Sequence, residues 1–269
     1  MIPVRRDIHF NLPADRALDW HGGGRYISHF LNTLSVFFPV GERFFISSVR
    51  HYRDQVTDPN LQRAVTAFIG QEAMHGREHE DYNKLLAAAG LPIEKQEDRV
   101  RKVLAKAQKL VPPIDHLAAT IALEHFTAIL ADRVLGDAKT LAGSHPAYAQ
   151  LWRWHALEET EHKSVAFDVW KTVQKPGLRS YLKRSRALLI ATAIFGYHIT
   201  RHYKENIDAD PKADNHFRGL MQLARFLLVS PGTVRKSIGP WFAYFRPSFH
   251  PWDHDNSAYI QQLENFQPQ

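Results

Sequence analysis

Apolar residues recur at helical spacing along most of the chain, with no sustained strand pattern. The pattern predicts an all-α protein. The first 24 residues lack a period, carry Pro3, Pro13 and Gly22-Gly23-Gly24, and read as an irregular arm lying on the core. From Tyr26 the pattern turns helical as far as Phe38. Pro39 and Gly41 predict an interruption or kink, after which Phe44, Phe45, Ile46 and Val49 carry the helix to about Gln55. Asp58-Pro59 supply an N-cap and a first-turn proline for a helix over 60–89, closed by Gly90 and Pro92. That run is roughly 45 Å long. A shorter charged helix follows over 94–109. Pro112-Pro113 open a helix to Leu135, with Gly136 as its stop, and its middle is apolar nearly all round, which predicts burial.

Ser144 and Pro146 open the next long helix, over 147–174, and Pro176-Gly177 close it. Residues 178–204 form another helix, with Arg179, Lys183, Arg184 and Arg186 at its front and an apolar window, 187–199, behind. A helical stretch over 212–229 leads to an aromatic, proline-rich tail expected to pack back over the bundle. We read one domain over 1–269: an arm (1–24), a four-helix bundle (25–175) and a C-terminal helical extension with its tail (176–269).

Composition narrows the chemistry. An apolar content of 44% and a charged content of 23% suit a globular chain. There is no cysteine, so disulfides, thiolate metal sites and cysteine nucleophiles are excluded, and any metal must take oxygen and nitrogen ligands. The net charge of +6 comes with no nucleic-acid motif, and no nucleic-acid partner is expected. The start of the chain does not read as a signal peptide, and the 187–199 window is too short to span a bilayer. These features predict a cytoplasmic protein. The basic helix front before an apolar window leaves open peripheral contact with the inner membrane.

Within this frame, four helices carry Glu42, then Glu72 with His75, then Glu124, then Glu159 with His162. Residues three apart share a helix face, so each Glu-x-x-His can aim a carboxylate and an imidazole at one point. Taken singly, each has a plain reading. Glu42 could be a helix N-terminal charge, and Glu78, His79 and Glu80 suggest that the second helix is solvated beside Glu72. Glu124 is harder to dismiss, because a buried unpaired carboxylate costs several kcal/mol. The order Glu, Glu-x-x-His, Glu, Glu-x-x-His is the ligand set of ferritin-like di-iron and di-manganese bundles. The longest gap, between His75 and Glu124, holds the extra helix that a crossover needs. Glu159 is preferred to Glu158 and Glu161 because it lies three before His162 and four after His155; Glu158 is left for a surface pair. His79, His155 and Asp168 are further candidates, as additional ligands or as groups that orient one. His125, next to Glu124, reads as structural. Phe37, Phe38, Phe44, Phe45 and Phe126 read as core, or as the wall of an apolar pocket beside the metals.

The chain resembles a family of bacterial proteins, the predicted metal-dependent hydrolases, within the wider ferritin-like di-metal carboxylate group. The resemblance rests on Phe38-Pro39-Val40-Gly41-Glu42-Arg43-Phe44-Phe45, Gln71-Glu72-Ala73-x-His75, Leu123-Glu124-His125-x-Thr127-Ala128, Trp154-His155-Ala156-x-Glu158-Glu159-x-Glu161-His162, and the tail Phe249-His250-Pro251-Trp252. It implies a ferritin-like four-helix bundle with a di-metal core and the six ligands Glu42, Glu72, His75, Glu124, Glu159 and His162. The ligand types put a di-iron oxidoreductase first, acting with O₂ on a small or lipid-like apolar substrate and fed by an external electron donor. A dinuclear hydrolase of an ester or phosphoester is the alternative, and a non-enzymatic metal-binding bundle the second. Two metal ions are expected, iron ahead of manganese or zinc. A homodimer is left open.

Overall fold

The computed structural model describes residues 2–264 and 266, and among these the chain is all helical. The helices are α1 (Arg25–Ser35), α2 (Phe38–Arg50), α3 (Pro59–Ala88), α4 (Ile93–Leu110), α5 (Pro113–Gly136), α6 (Pro146–His162), α7 (Val165–Val173), α8 (Leu178–Ala209), α9 (His216–Leu228) and α10 (Thr233–Ala243). Local chemistry sets several boundaries. The Asp58 carboxylate accepts from Asn60 N at 2.9 Å, with Pro59 in the first turn of α3. Pro39 falls in the first turn of α2, where its missing N–H costs nothing, so the anticipated kink is a clean break between two helices.

Two helices differ from the sequence reading. The 147–174 helix is divided at Lys163–Ser164 into α6 and α7. Both residues keep right-handed helical φ/ψ, so the break is a shift in the hydrogen-bond ladder with no breaker residue to announce it. Lys163 Nζ is drawn to His254 O and Asn256 Oδ1, both at 2.7 Å, and lies 3.9 Å over the Trp252 ring. The start of the tail, read only as aromatic and proline-rich, forms α10, with Pro240 in its last turns. Its carbonyl accepts from His125 Nε2 at 3.1 Å, which gives His125 its structural place.

Four helices close a ring: α2 packs on α3, α3 on α6, α6 on α5, and α5 back on α2. This arrangement is compatible with a four-helix bundle. Apolar clusters lie at two levels along it. One holds Phe44, Phe68, Leu117 and Ile121, with Trp170 of α7. The other holds Leu34, Tyr82, Leu86, Tyr148 and Trp152, with Trp20 of the arm. On α3 the first level is Phe68 and the second Tyr82, with Glu72 and His75 between them. A polar layer is thus held between two apolar ones. α8 covers α5 and α1, and α9 and α10 complete the outer layer against α1 and α5. α9 can approach α1 closely because Gly219 faces Tyr26; a Cβ there would lie 2.1 Å from the ring. Among the described residues, the helix long and apolar enough to cross a membrane is α5, not the 187–199 window. α5 packs against α2, α6, α7, α8 and α10, so its apolarity is that of a core helix.

Candidate metal centre

Each ring helix contributes to the polar layer. Glu42 comes from α2, Glu72 and His75 from α3, Glu124 from α5, and Glu159 and His162 from α6; none is more than 2% exposed. His162 Nε2 lies 3.1 Å from Glu72 Oε1, 3.4 Å from Glu159 Oε2 and 3.6 Å from Glu124 Oε2. His75 Nδ1 lies 3.8 Å from Glu159 Oε1. Donor atoms gather within 4.8 Å of one another in three sets: Glu72–Glu124–His162, Glu72–His75–Glu159 and Glu42–His75–His155.

These atoms converge without bonding one another. Both carboxylate oxygens of Glu42, Glu72 and Glu124, together with Glu159 Oε2, His75 Nδ1 and His162 Nε2, are buried with no hydrogen-bond partner. Buried polar atoms are normally paired, and a bound cation would satisfy a cluster of orphaned lone pairs facing one point. Gly76 lets Glu42 approach α3: a Cβ there would lie 3.1 Å from Glu42 Oε2. The donor set, oxygen and imidazole nitrogen, fits metal ions.

The electrostatics carry the same strain. Burial, then the neighbouring carboxylates Glu72 and Glu159, pushes the Glu42 and Glu124 carboxyls well up. Burial lifts Glu72 to about 7 even against the pull of His162. Burial also opposes charge on Glu159, but His162 and the hydrogen bond from His155 outweigh it and hold that carboxyl well below its ordinary range.

The two imidazoles are held from outside. His162 Nδ1 donates to Gln71 Oε1 at 2.9 Å, and His75 Nε2 to Glu158 Oε2 at 3.1 Å, which leaves the opposite nitrogen of each ring facing the centre. Gln71 Nε2 in turn donates to Glu161 Oε2 at 2.6 Å. Arg6 of the arm joins the two chains, reaching Glu158 Oε1 at 3.2 Å and Glu161 Oε2 at 2.8 Å. Glu158 is therefore fully buried rather than part of a surface pair, and burial pushes its carboxyl up to about 7 against the pull of Arg6.

The remaining candidates separate. His155 donates from Nε2 to Glu159 Oε1 at 3.0 Å, and its Nδ1 meets His79 Nε2 at 2.9 Å. His79 continues to Ser35 Oγ at 2.8 Å and joins none of the three donor sets. His79 and Glu78 are buried, so this part of α3 is not the solvated face expected of it; only Glu80 turns outward, to Arg43. Asp168 lies apart. It accepts from Ser164 Oγ at 2.9 Å and meets His250 Nε2 at 3.1 Å, and no contact among the described residues links it to the six.

The parts that Arg6, Gln71, Glu158 and Glu161 play behind the two imidazoles escaped the sequence reading, which weighed Glu158 and Glu161 only as alternatives to Glu159. The available signal was four glutamate and histidine positions packed into Glu158-Glu159-Thr160-Glu161-His162, too many for one face of a core helix unless the other faces are buried against partners as well.

Fold and site together define a protein that is all helical among the described residues, with a buried carboxylate–histidine cluster that fits metal ions. A family described as predicted metal-dependent hydrolase matches residues 4–255, and the chain belongs to it. A search of the curated proteins and a search of the solved structures each returned no match.

Proposed function

We propose that this protein is a dinuclear metal-dependent hydrolase that cleaves an ester or phosphoester bond in a substrate with an apolar chain. The observation that carries the reading is the set of orphaned donors, one of which, Glu42, lines an apolar cavity. Four carboxylates in one buried layer balance two divalent cations in charge, which supports two ions rather than one. Ions held by Glu42, Glu72, His75, Glu124, Glu159 and His162 would supply Lewis acidity and a water made acidic near neutral pH.

The chain's own residues do the rest. A cavity of about 280 Å³ runs between α2, α4, α5 and α8 and reaches Glu42. Phe37, Phe44, Leu123 and Phe126 wall it and exclude water from the reacting bond. Both nitrogens of His155 are engaged within the protein, whereas His75 Nδ1 and His162 Nε2 are not. This supports His155 as a group that steadies Glu159, with His79 behind it. Family membership favours hydrolysis over the oxidation that the ligand types first suggested.

Metal per chain, and turnover of chromogenic acyl esters of increasing length and of a phosphodiester with manganese, zinc or iron, test the reading. Longer acyl chains should be preferred. Ala119→Phe, which fills the cavity, should lower turnover of the long esters on the order of tenfold while leaving metal content and short esters unchanged. A second reading, a di-iron oxidoreductase, draws support from the all-glutamate and histidine donors facing an apolar wall. O₂ uptake by the ferrous protein, with no hydrolysis under any of the three metals, would put it first.

A further inference from the structure

We propose that the outer face of α8, α9 and α10 docks on an anionic lipid bilayer. Large apolar side chains on that layer lie open to solvent: Leu182, Leu189 and Ile194 on α8, Phe217 on α9, and Ile238 and Phe242 on α10. Phe217 is 80% exposed and Phe242 61%. The three helices are neighbours, since α9 packs on α10, and Trp241 of α10 donates to Thr192 of α8 at 3.1 Å. Val234, Ile238 and Phe242 recur every four residues, so α10 presents an apolar stripe outward where a globular surface helix presents a polar one.

The charge around this face selects the occupant. Residues 178–203 and 216–252 contain no aspartate or glutamate. They contain Arg179, Arg218 and Arg225, all exposed and none with an acidic partner among the described residues. Two acids from outside these stretches reach the layer, Asp115 and Asp137, and both are already paired, with Lys183 and Lys236. Apolar side chains among the remaining unpaired cations match an anionic membrane surface. A second copy of the chain would bring the same cations against each other, which disfavours it. Arg184, one of the four basic residues at the front of α8, takes no part. It is buried, donates to Tyr244 O and Arg246 O, and lies 4.6 Å from the Tyr244 ring.

The docking face adjoins the cavity, because Arg186, Ile190 and Ile194 are exposed on α8 and also line it. If the hydrolase reading holds, the apolar substrate enters from the membrane side. The docking itself does not depend on that reading.

Flotation with vesicles of one part phosphatidylglycerol to two parts phosphatidylcholine tests it on the whole protein, with no substrate present. The protein should float with these vesicles, not with phosphatidylcholine alone, and less so as salt rises. Arg218→Gln with Arg225→Gln should lower partitioning on the order of tenfold. Phe217→Ser with Phe242→Ser should abolish it while thermal midpoint and metal content stay unchanged, since both rings are solvent-facing. Failure of the wild type to float would overturn the proposal, as would equal flotation of both double variants. So would a dimer in light scattering that the Phe217→Ser/Phe242→Ser pair dissociates, without flotation. Loss of docking with ester turnover intact would leave the metal-centre reading untouched.

Discussion

Glutamine at position 124 should empty the protein of metal and at the same time stabilise the metal-free chain at neutral pH. Both effects have one cause. Glu124 is buried among Glu42, Glu72 and Glu159, and burial and those charges push its carboxyl well up. A carboxyl whose pKa is raised by folding contributes stability that is fully present below its unfolded value, near 4.5, and is lost as pH rises towards the folded one. Glu42 and Glu72 behave alike, and the contribution of Glu72 is gone by about pH 7. Metal-free wild-type protein should therefore lose stability as pH rises above about 4.5, with the share of Glu72 complete near 7. Glu159, held below its ordinary range, acts the other way and is lost only as pH falls.

Glu124→Gln keeps the shape and removes one ionisation, so the metal-free variant should melt higher than metal-free wild type at pH 7. The difference should reflect a buried carboxylate's cost of a few kcal/mol. With metal bound the order reverses: the wild type gains from ligation, and acid, which protonates the ligands, releases the ions. Metal affinity of the variant should fall by more than the ~10–100-fold that loss of an outer-sphere partner costs. Metal analysis per chain and thermal midpoints from pH 5 to 8, with and without chelator, measure all of this. A Glu124→Gln protein that keeps its metal would remove that residue from the ligand set.

Arg6→Ala should damage the same centre from a distance. The side chain of Arg6 is only 20% exposed and pairs with Glu158 and Glu161, whose side chains are 0% and 5% exposed. Its loss strands two buried carboxylates, which costs about 3–5 kcal/mol when one partner of a buried pair is removed. It also loosens Glu158 behind His75, and Glu161 with Gln71 behind His162. Metal affinity should drop about 10–100-fold although Arg6 touches neither imidazole. Arg6→Lys should recover only part, because an ammonium cannot bond both glutamates with the guanidinium's fork. Calorimetric stability and competitive metal titration decide it. If Arg6→Ala destabilises the protein but binds metal as tightly as wild type, the arm supports the fold and not the centre.

Much of the fold was legible because helix formation is local. Asp58-Pro59, Pro112-Pro113 and Gly90 mark ends through the chemistry of one or two residues, and α3 and α5 lie within a residue or two of their sequence-predicted bounds. The division between α6 and α7 was not legible, because it is driven by Lys163 reaching His254 and Asn256, more than ninety positions away in the chain. α10 was hidden by its proline, whose position near the helix end does little harm and whose carbonyl has a partner in α5.

The candidate centre divides the same way. Spacing alone places Glu72 with His75, and Glu159 with His162, on common faces, because three residues are nearly one helical turn. It also singled out the six residues that the four-helix ring now gathers in one buried layer. The sequence could not decide what surrounds them. That Glu158 and Glu161 are buried, that Arg6 joins them, that His155 leans on His79, and that Asp168 turns away to His250 are all facts of packing between distant segments. A helical period specifies which side chains share a face, and only the docking of one helix on another specifies what that face meets.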